Sequence, residues 1–259
     1  MSSVSGKSLA KLDPLVSDAA EKVKAAARKV PQPVEGGGVA TAAGAAMHPG
    51  VERWPVKTGT DADVAKVGVN TLNGENLGPG LVDTTVEEML ALPRAADMPS
   101  VSSSFAKNSY YQDRRAAPTE TTVWRMKATV TEAKLEQDGD YHLVLQGTSG
   151  KTMIGEIPNP DPAYVKNPVW LADIKVARNA MDAKLGGPLK AVDFAPETMA
   201  PPTKERFETA SMPDESAAMT KIGKSATIIG VGFFDSSHGQ TGVAPSAIEL
   251  HPIFSIVFD

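Results

Sequence analysis

Residues 227–258, TIIGVGFFDSSHGQTGVAPSAIELHPIFSIVF, restrict what this chain can fold into more than any other stretch. Two apolar runs rich in β-branched and aromatic residues flank a segment too polar for regular structure. Residues 227–234 predict a strand. Residues 248–258 predict a second, with Ile248, Leu250, Phe254, Ile256 and Phe258 on one face and Glu249 and His251 turned together to the other. Between them DSSHGQTGVAPS gathers Asp235, His238, Gln240 and Thr241 within a few residues. A working site is expected there before anywhere else.

The residues upstream supply partners for these strands. In residues 121–135, TTVWRMKATVTEAKL, Trp124, Met126, Ala128 and Val130 alternate with Arg125, Lys127 and Thr129, the pattern of a long half-buried strand. The Asp-Gly turn of EQDGD leads into residues 141–146 as a second strand, so the two form a hairpin. Residues 152–157 predict a third, stopped by Pro158, Pro160 and Pro162. A helix follows: Asn167 is its N-cap and Pro168 opens its first turn. Leu171, Ile174, Met181 and Leu185 share one face, and Gly186, Gly187 and Pro188 end it. Residues 189–225 are poor in β-branched residues and predict a long excursion.

Three strands, a helix and two strands is the order of an OB-fold, a five-stranded Greek-key barrel. The fold class read from the sequence is therefore mainly β. It is an OB-fold-like barrel over residues 119–259, with one helix between strands 3 and 4, preceded by a helical and extended N-terminal region. Trp124, Val130, Leu143, Leu145, Ile228 and Ile256 are its expected core.

Ahead of the barrel the patterns are weaker. Asp13 and Pro14 open an amphipathic helix whose apolar face is mostly alanine, suited to packing loosely on its own body or on a partner. Residues 31–50 contain three consecutive glycines and predict a flexible linker, in which His48 is expected to be solvated. The region before Gly50 is accordingly expected to be mobile. Residues 51–118 are read as an extended segment wrapping a neighbouring domain, with a short helix that Thr85 and Glu88 cap. NSYYQDRR, containing Tyr110, Tyr111, Arg114 and Arg115, is read as surface connection.

Composition narrows the function classes. A formal net charge of -5 disfavours a broad basic face for duplex nucleic acid. With no cysteine there is no disulfide and no thiolate ligand or nucleophile, so any metal site must use His, Asp or Glu. No secretory h-region and no run of about 20 apolar residues is present, which predicts a cytoplasmic protein without a membrane span. Three GK[ST] tripeptides begin at Gly6, Gly150 and Gly223. None makes a phosphate loop, since Leu145 and Ala218 stand where the second and third need an earlier glycine, and the first has no preceding chain.

The stronger constellation is Asp138, Asp140, His142, Glu156, Asp235, His238, Glu249 and His251, all in the barrel. Asp140 and His142 share a face by period two, as do Glu249 and His251, and barrel closure can bring the pairs together. Such groups can bind a divalent cation, with His142, His238 and His251 as candidate ligands, or act as general acid and base. They also serve as cross-strand partners and loop caps with no further role. Gln240 and the outward Arg125 and Lys127 complete the candidate ligand-binding set.

DGDYHLVL at residues 138–145, TMIGEIPNP at 152–160 and GFFDSSHGQTGVAPSAIELHPI at 232–253 resemble an uncharacterised family of bacterial proteins. The resemblance runs over residues 123–258 and implies a compact barrel without assigning an activity. It implies Asn-Gly where this chain has Ser246 and Ala247, so that turn is expected to be altered. Taken together, the leading expectation is a non-enzymatic binding or accessory module for single-stranded nucleic acid or another polyanion, Arg125 and Lys127 facing the ligand. The alternatives are a metal-dependent, nuclease-like hydrolase and a structural or protein-interaction component.

Overall fold

The computed structural model describes residues 52–67, 69–71, 76–77, 81–105, 108, 110–136, 138–190 and 219–259, all within one compact unit, Thr41–Asp259. In chain order its strands are β1 (Val69–Thr71), β2 (Asn76–Leu77), β3 (Leu81–Thr84), β4 (Val123–Leu135), β5 (Tyr141–Gln146), β6 (Thr152–Ile157), β7 (Thr220–Phe234) and β8 (Ile248–Phe258). Its α-helices are α1 (Trp54–Thr58), α2 (Val86–Leu90) and α3 (Pro168–Leu185). The expected N-terminal helix, the linker with His48 and most of the excursion, residues 191–218, lie outside the described residues.

Strands β4, β5, β6, β8 and β7 follow one another around a barrel that the β7–β4 pairing closes. Every pairing in the ring is antiparallel except that of β6 with β8. Parallel neighbours need a long crossover, and α3 lies on it between the third and fourth barrel strands. This mainly β, closed five-stranded barrel with one helix is the architecture expected from the order of elements. The helix is set by local chemistry: the Asn167 side chain accepts from the backbone N–H groups of Val169 and Trp170, Pro168 stands at N1, and Gly186 ends it at φ 75°. Its Trp170 ring meets Phe254 of β8 edge-on at 5.0 Å.

Alternation assigns each barrel face. A Cβ on Gly155 would lie 2.8 Å from the Leu145 and Ile253 side chains, so Gly155 faces the packed interior, and its neighbours Ile154 and Glu156 face outward. Val130, Leu143, Leu145, Ile228 and Ile256 are buried as expected, while Trp124 is partly buried and packs at the edge of the core. Strand β8 breaks the simple alternation. Its register with β7 slips on both sides of the Gly230–Ile253 pair, so Ile253 enters the interior and Phe254 leaves the regular sequence to meet Trp170.

Two expectations are corrected. Strand β7 starts at Thr220, so residues 220–225 belong to the barrel rather than to the excursion; Thr220, Lys221, Lys224 and Ser225 all pair with the second half of β4. The segment before the barrel packs on the barrel, adding Val67, Val86, Met89, Phe105 and Tyr111 to the same core cluster, and part of it is not the surface connection expected. Tyr111 and Arg115 are buried rather than on a surface connection, whereas Tyr110 is exposed. The capping box of Thr85 and Glu88 forms at α2 as read.

Candidate functional site

Barrel register brings the outward polar residues of three strands into one row. His142 of β5 pairs with Glu156 of β6. The β6–β8 register, Ile154 with Glu249 and Gly155 with Leu250, continues to place Glu156 beside His251. Glu156 therefore stands between two imidazoles. Its Oε1 is 3.5 Å from His142 Nδ1, and its Oε2 is 2.7 Å from His251 Nδ1.

Loops and a helix enclose this row. The β4–β5 turn contributes Asp140, whose Oδ2 lies 3.6 Å from His251 Nε2, while Oδ1 accepts from the Asn159 backbone N–H at 2.8 Å. Arg178 of α3 donates to the carbonyls of Gly139 and Ile157 and fixes that turn against β6. The β7–β8 loop contributes Asp235 and the Thr241 carbonyl, which lies 2.9 Å from His142 Nε2. Arg94 fastens the loop's two ends by donating to the carbonyls of Asp235 and Ser246. From α1, Lys57 brings its ammonium 3.7 Å from Asp235 Oδ2 and 4.0 Å from Glu156 Oε2. The Phe233 ring lies 5.3 Å from that of His251.

The row lies on the outer face of the second and third barrel strands, beside the loops that join β4 to β5 and β7 to β8. Here that face is closed and acidic. His142 and His251 are fully buried, as is Asp140, and Glu156 and Glu249 are nearly so. Carboxyl groups from Glu136, Asp138, Asp140, Glu156, Asp235 and Glu249 share it with the cationic side chains of Lys57, Lys134 and Arg178. Burial, then repulsion by Glu156, pushes the Asp138 carboxyl up to about 6. Burial, with Asp138 and Glu156 adding to it, carries Asp140 well above the usual carboxylate range; Glu249 rises likewise from burial and from Asp235 and Glu156. Burial also opposes the Glu156 charge, but His251, Lys57 and His142 more than offset it and hold this carboxyl ionised. Burial lowers His251, against the pull of Glu156. It also opposes charge on His142, where Glu136 and Glu156 win and raise the ring to about 10.

Many of these atoms lack hydrogen-bond partners. Asp140 Oδ2, both Glu249 oxygens, His142 Nδ1 and both ring nitrogens of His251 are buried without one. The 2.7 Å approach of His251 Nδ1 to Glu156 lacks the alignment of a hydrogen bond. An unmatched buried polar group costs about 1–3 kcal/mol, so the cluster carries a large unsatisfied term. Asp140, Glu156 and His251 offer ligand atoms within 4.8 Å of one another, as do Glu136, His142 and Glu156. Mixed carboxylate and imidazole donors without thiolate suit a first-row divalent ion such as Zn²⁺ or Mn²⁺.

The other sequence candidates fall elsewhere. His238 is exposed on the β7–β8 loop, its Nε2 2.8 Å from the Gln240 amide nitrogen, so the three histidines do not share one ligand point. Gln240 stabilises the loop, donating to Ser236 O and accepting from the His238 backbone N–H. Arg125 pairs with Asp83 and Lys127 with Asp259 on the far side of β4. Lys57 and Glu136 were absent from the sequence constellation. Lys57 lies in a segment without strand or motif signal, whereas Glu136, at the mouth of the Asp-Gly hairpin that presents Asp140, was within reach of turn reasoning. Compared with protein-family models, with curated proteins and with solved structures, the chain matches none.

Proposed function

We propose that this protein is a non-enzymatic binding module whose barrel, of OB-fold type, uses its ligand face to hold a divalent cation. Asp140, Glu156 and His251 are its ligands. The observation that carries this reading is the set of unpartnered donor atoms, Asp140 Oδ2 and the His251 ring nitrogens, enclosed within 4.8 Å of a Glu156 carboxylate. A cation converts mutual repulsion among these donors into coordination, and burial raises the gain because no water competes. A polyanion is disfavoured on the same face, where carboxyl groups outnumber cationic side chains, and Arg125 and Lys127 lie away from it, already paired with Asp83 and Asp259. Hydrolysis is disfavoured too, because a catalytic cation keeps a position open to water or substrate and these donors are shut away from both.

The test is metal analysis of the purified full-length chain, followed by removal with chelator and titration with Zn²⁺ and Mn²⁺. At least one equivalent is expected to be retained, and the apo protein is expected to gain thermal stability on reloading. Absence of bound metal together with an unchanged Tm in both ions would overturn the reading. Metal-dependent phosphodiesterase turnover abolished by Glu156→Gln would replace it with the hydrolase.

A further inference from the structure

Resting on that reading, we infer that the face holds two cations rather than one, with Glu156 as the bridge and a second ion bound by Glu136, His142 and Glu156. The two Glu156 oxygens point to different imidazoles, Oε1 toward His142 and Oε2 toward His251. A carboxylate whose oxygens serve different ions is the bridge of two-metal centres, where the ions stand about 3.5–4 Å apart.

The His142 ring carries the independent observation. Its Nε2 lies 2.9 Å from the Thr241 carbonyl, which can only accept, so Nε2 holds the proton. In the metal-free chain Glu136 and Glu156 favour a second proton on that ring, at Nδ1, and a cation would displace it to use the Nδ1 lone pair. Nδ1 is buried and makes no aligned hydrogen bond. It faces Glu136 Oε1 at 3.3 Å and Glu156 Oε1 at 3.5 Å. These three donor atoms converge on one point, which a proton on Nδ1 holds together in the metal-free chain and a cation would hold in its place. A ring N–H given to a backbone carbonyl, with the other nitrogen turned to carboxylates, is the arrangement of a metal-bound histidine oriented by its surroundings. Lys134, 3.2 Å from Glu136 Oε1, neutralises part of the charge.

Native mass spectrometry of the apo full-length chain titrated with Zn²⁺, and electron paramagnetic resonance after loading with Mn²⁺, decide between one ion and two. Two Zn²⁺ per chain and an exchange-coupled Mn²⁺ spectrum are expected. Glu136→Gln and His142→Ala should each keep one ion and lose the coupling, as should Asp140→Asn and His251→Ala, while Glu156→Gln loses the bridge and the coupling. Glu136 is partly exposed, so Glu136→Gln carries the test if the buried histidine variants do not fold. A single ion that survives in Glu136→Gln and disappears in Asp140→Asn overturns the second site and leaves the first standing; His142 is then an imidazolium donating to both carboxylates. Two ions without coupling overturn the bridge. No ion at all overturns both readings.

Discussion

Two buried ionic regions lie side by side in this protein, and only one is complete. In the first, Arg53 uses all five guanidinium hydrogens: Nε donates to Tyr111 O, one terminal nitrogen to Glu120 and Phe234 O, the other to Glu120 and Arg114 O. Glu120 in turn accepts from the backbone N–H groups of Ala116 and Phe234. Phe105 and Phe233 lie against the guanidinium at 4.8 and 4.6 Å. Neighbouring Arg115 grips both oxygens of Asp61 and the Val56 carbonyl. The second region, around Glu156, is just as buried but leaves carboxylate and imidazole atoms unmatched. Burial alone therefore does not mark a functional site. Buried charge with its hydrogen bonds filled fastens the chain, whereas buried charge with open donors calls for another ion.

The comparison yields predictions that differ in size and sign. The largest effect is expected at the completed knot: Arg53→Met leaves Glu120 charged in the interior and should cost about 3–5 kcal/mol, the range for removing one partner of a buried pair. Urea denaturation measures it, and a loss below about 1 kcal/mol would erase the distinction between the regions.

Next is the response to metal. At a free ion concentration 100 times Kd, binding stabilises the folded state by about 2.7 kcal/mol. The wild-type Tm should rise accordingly, and Glu156→Gln should remove the response. In chelator the same region should behave in the opposite way from the knot. Asp140→Asn removes an unmatched buried carboxyl whose ionisation burial already opposes, so it should leave stability within about 1 kcal/mol of wild type or raise it. A loss comparable with that of Arg53→Met would mean that the cluster is satisfied without metal.

A further expectation concerns ligand choice. Fluorescence anisotropy with short single-stranded oligonucleotides should show no binding even at low salt, where phosphate contacts are strongest. Salt-sensitive binding weakened by Arg125→Ala would restore the polyanion reading. The smallest effect belongs to the β7–β8 loop, where Ala247 is held at φ 52° and the resemblance implied glycine. Ala247→Gly relieves left-handed strain while loosening the unfolded chain, for a net gain under about 1 kcal/mol. A Tm that falls would show the loop prefers the alanine methyl in its buried position.

What the sequence reveals follows from how local each signal is. Strands β5, β6 and β8 and helix α3 have the bounds read from alternation, turn residues and caps, since those are set by neighbours in the chain. The start of β7 was hidden because TKIGKS is polar and becomes a strand through its ladder with β4. Arg53, Arg115 and Lys57 were hidden for a related reason. Their neighbours give no periodic pattern, and their partners Glu120, Asp61 and Asp235 are distant in sequence.

By itself the sequence determined the order of strands and helix, and period two put Glu249 and His251 on the face opposite Leu250. It also confined any metal site to imidazole and carboxylate. Only the tertiary structure decided that Glu156 stands between His142 and His251 while His238 stays outside. That outcome depends on the register between β6 and β8, strands that meet only after the α3 crossover closes the barrel. Alternation is a property of a few consecutive residues, but register across a parallel pair is fixed by the packing of the whole ring, and Lys57 joins the site only because the segment before the barrel folds back to cover it.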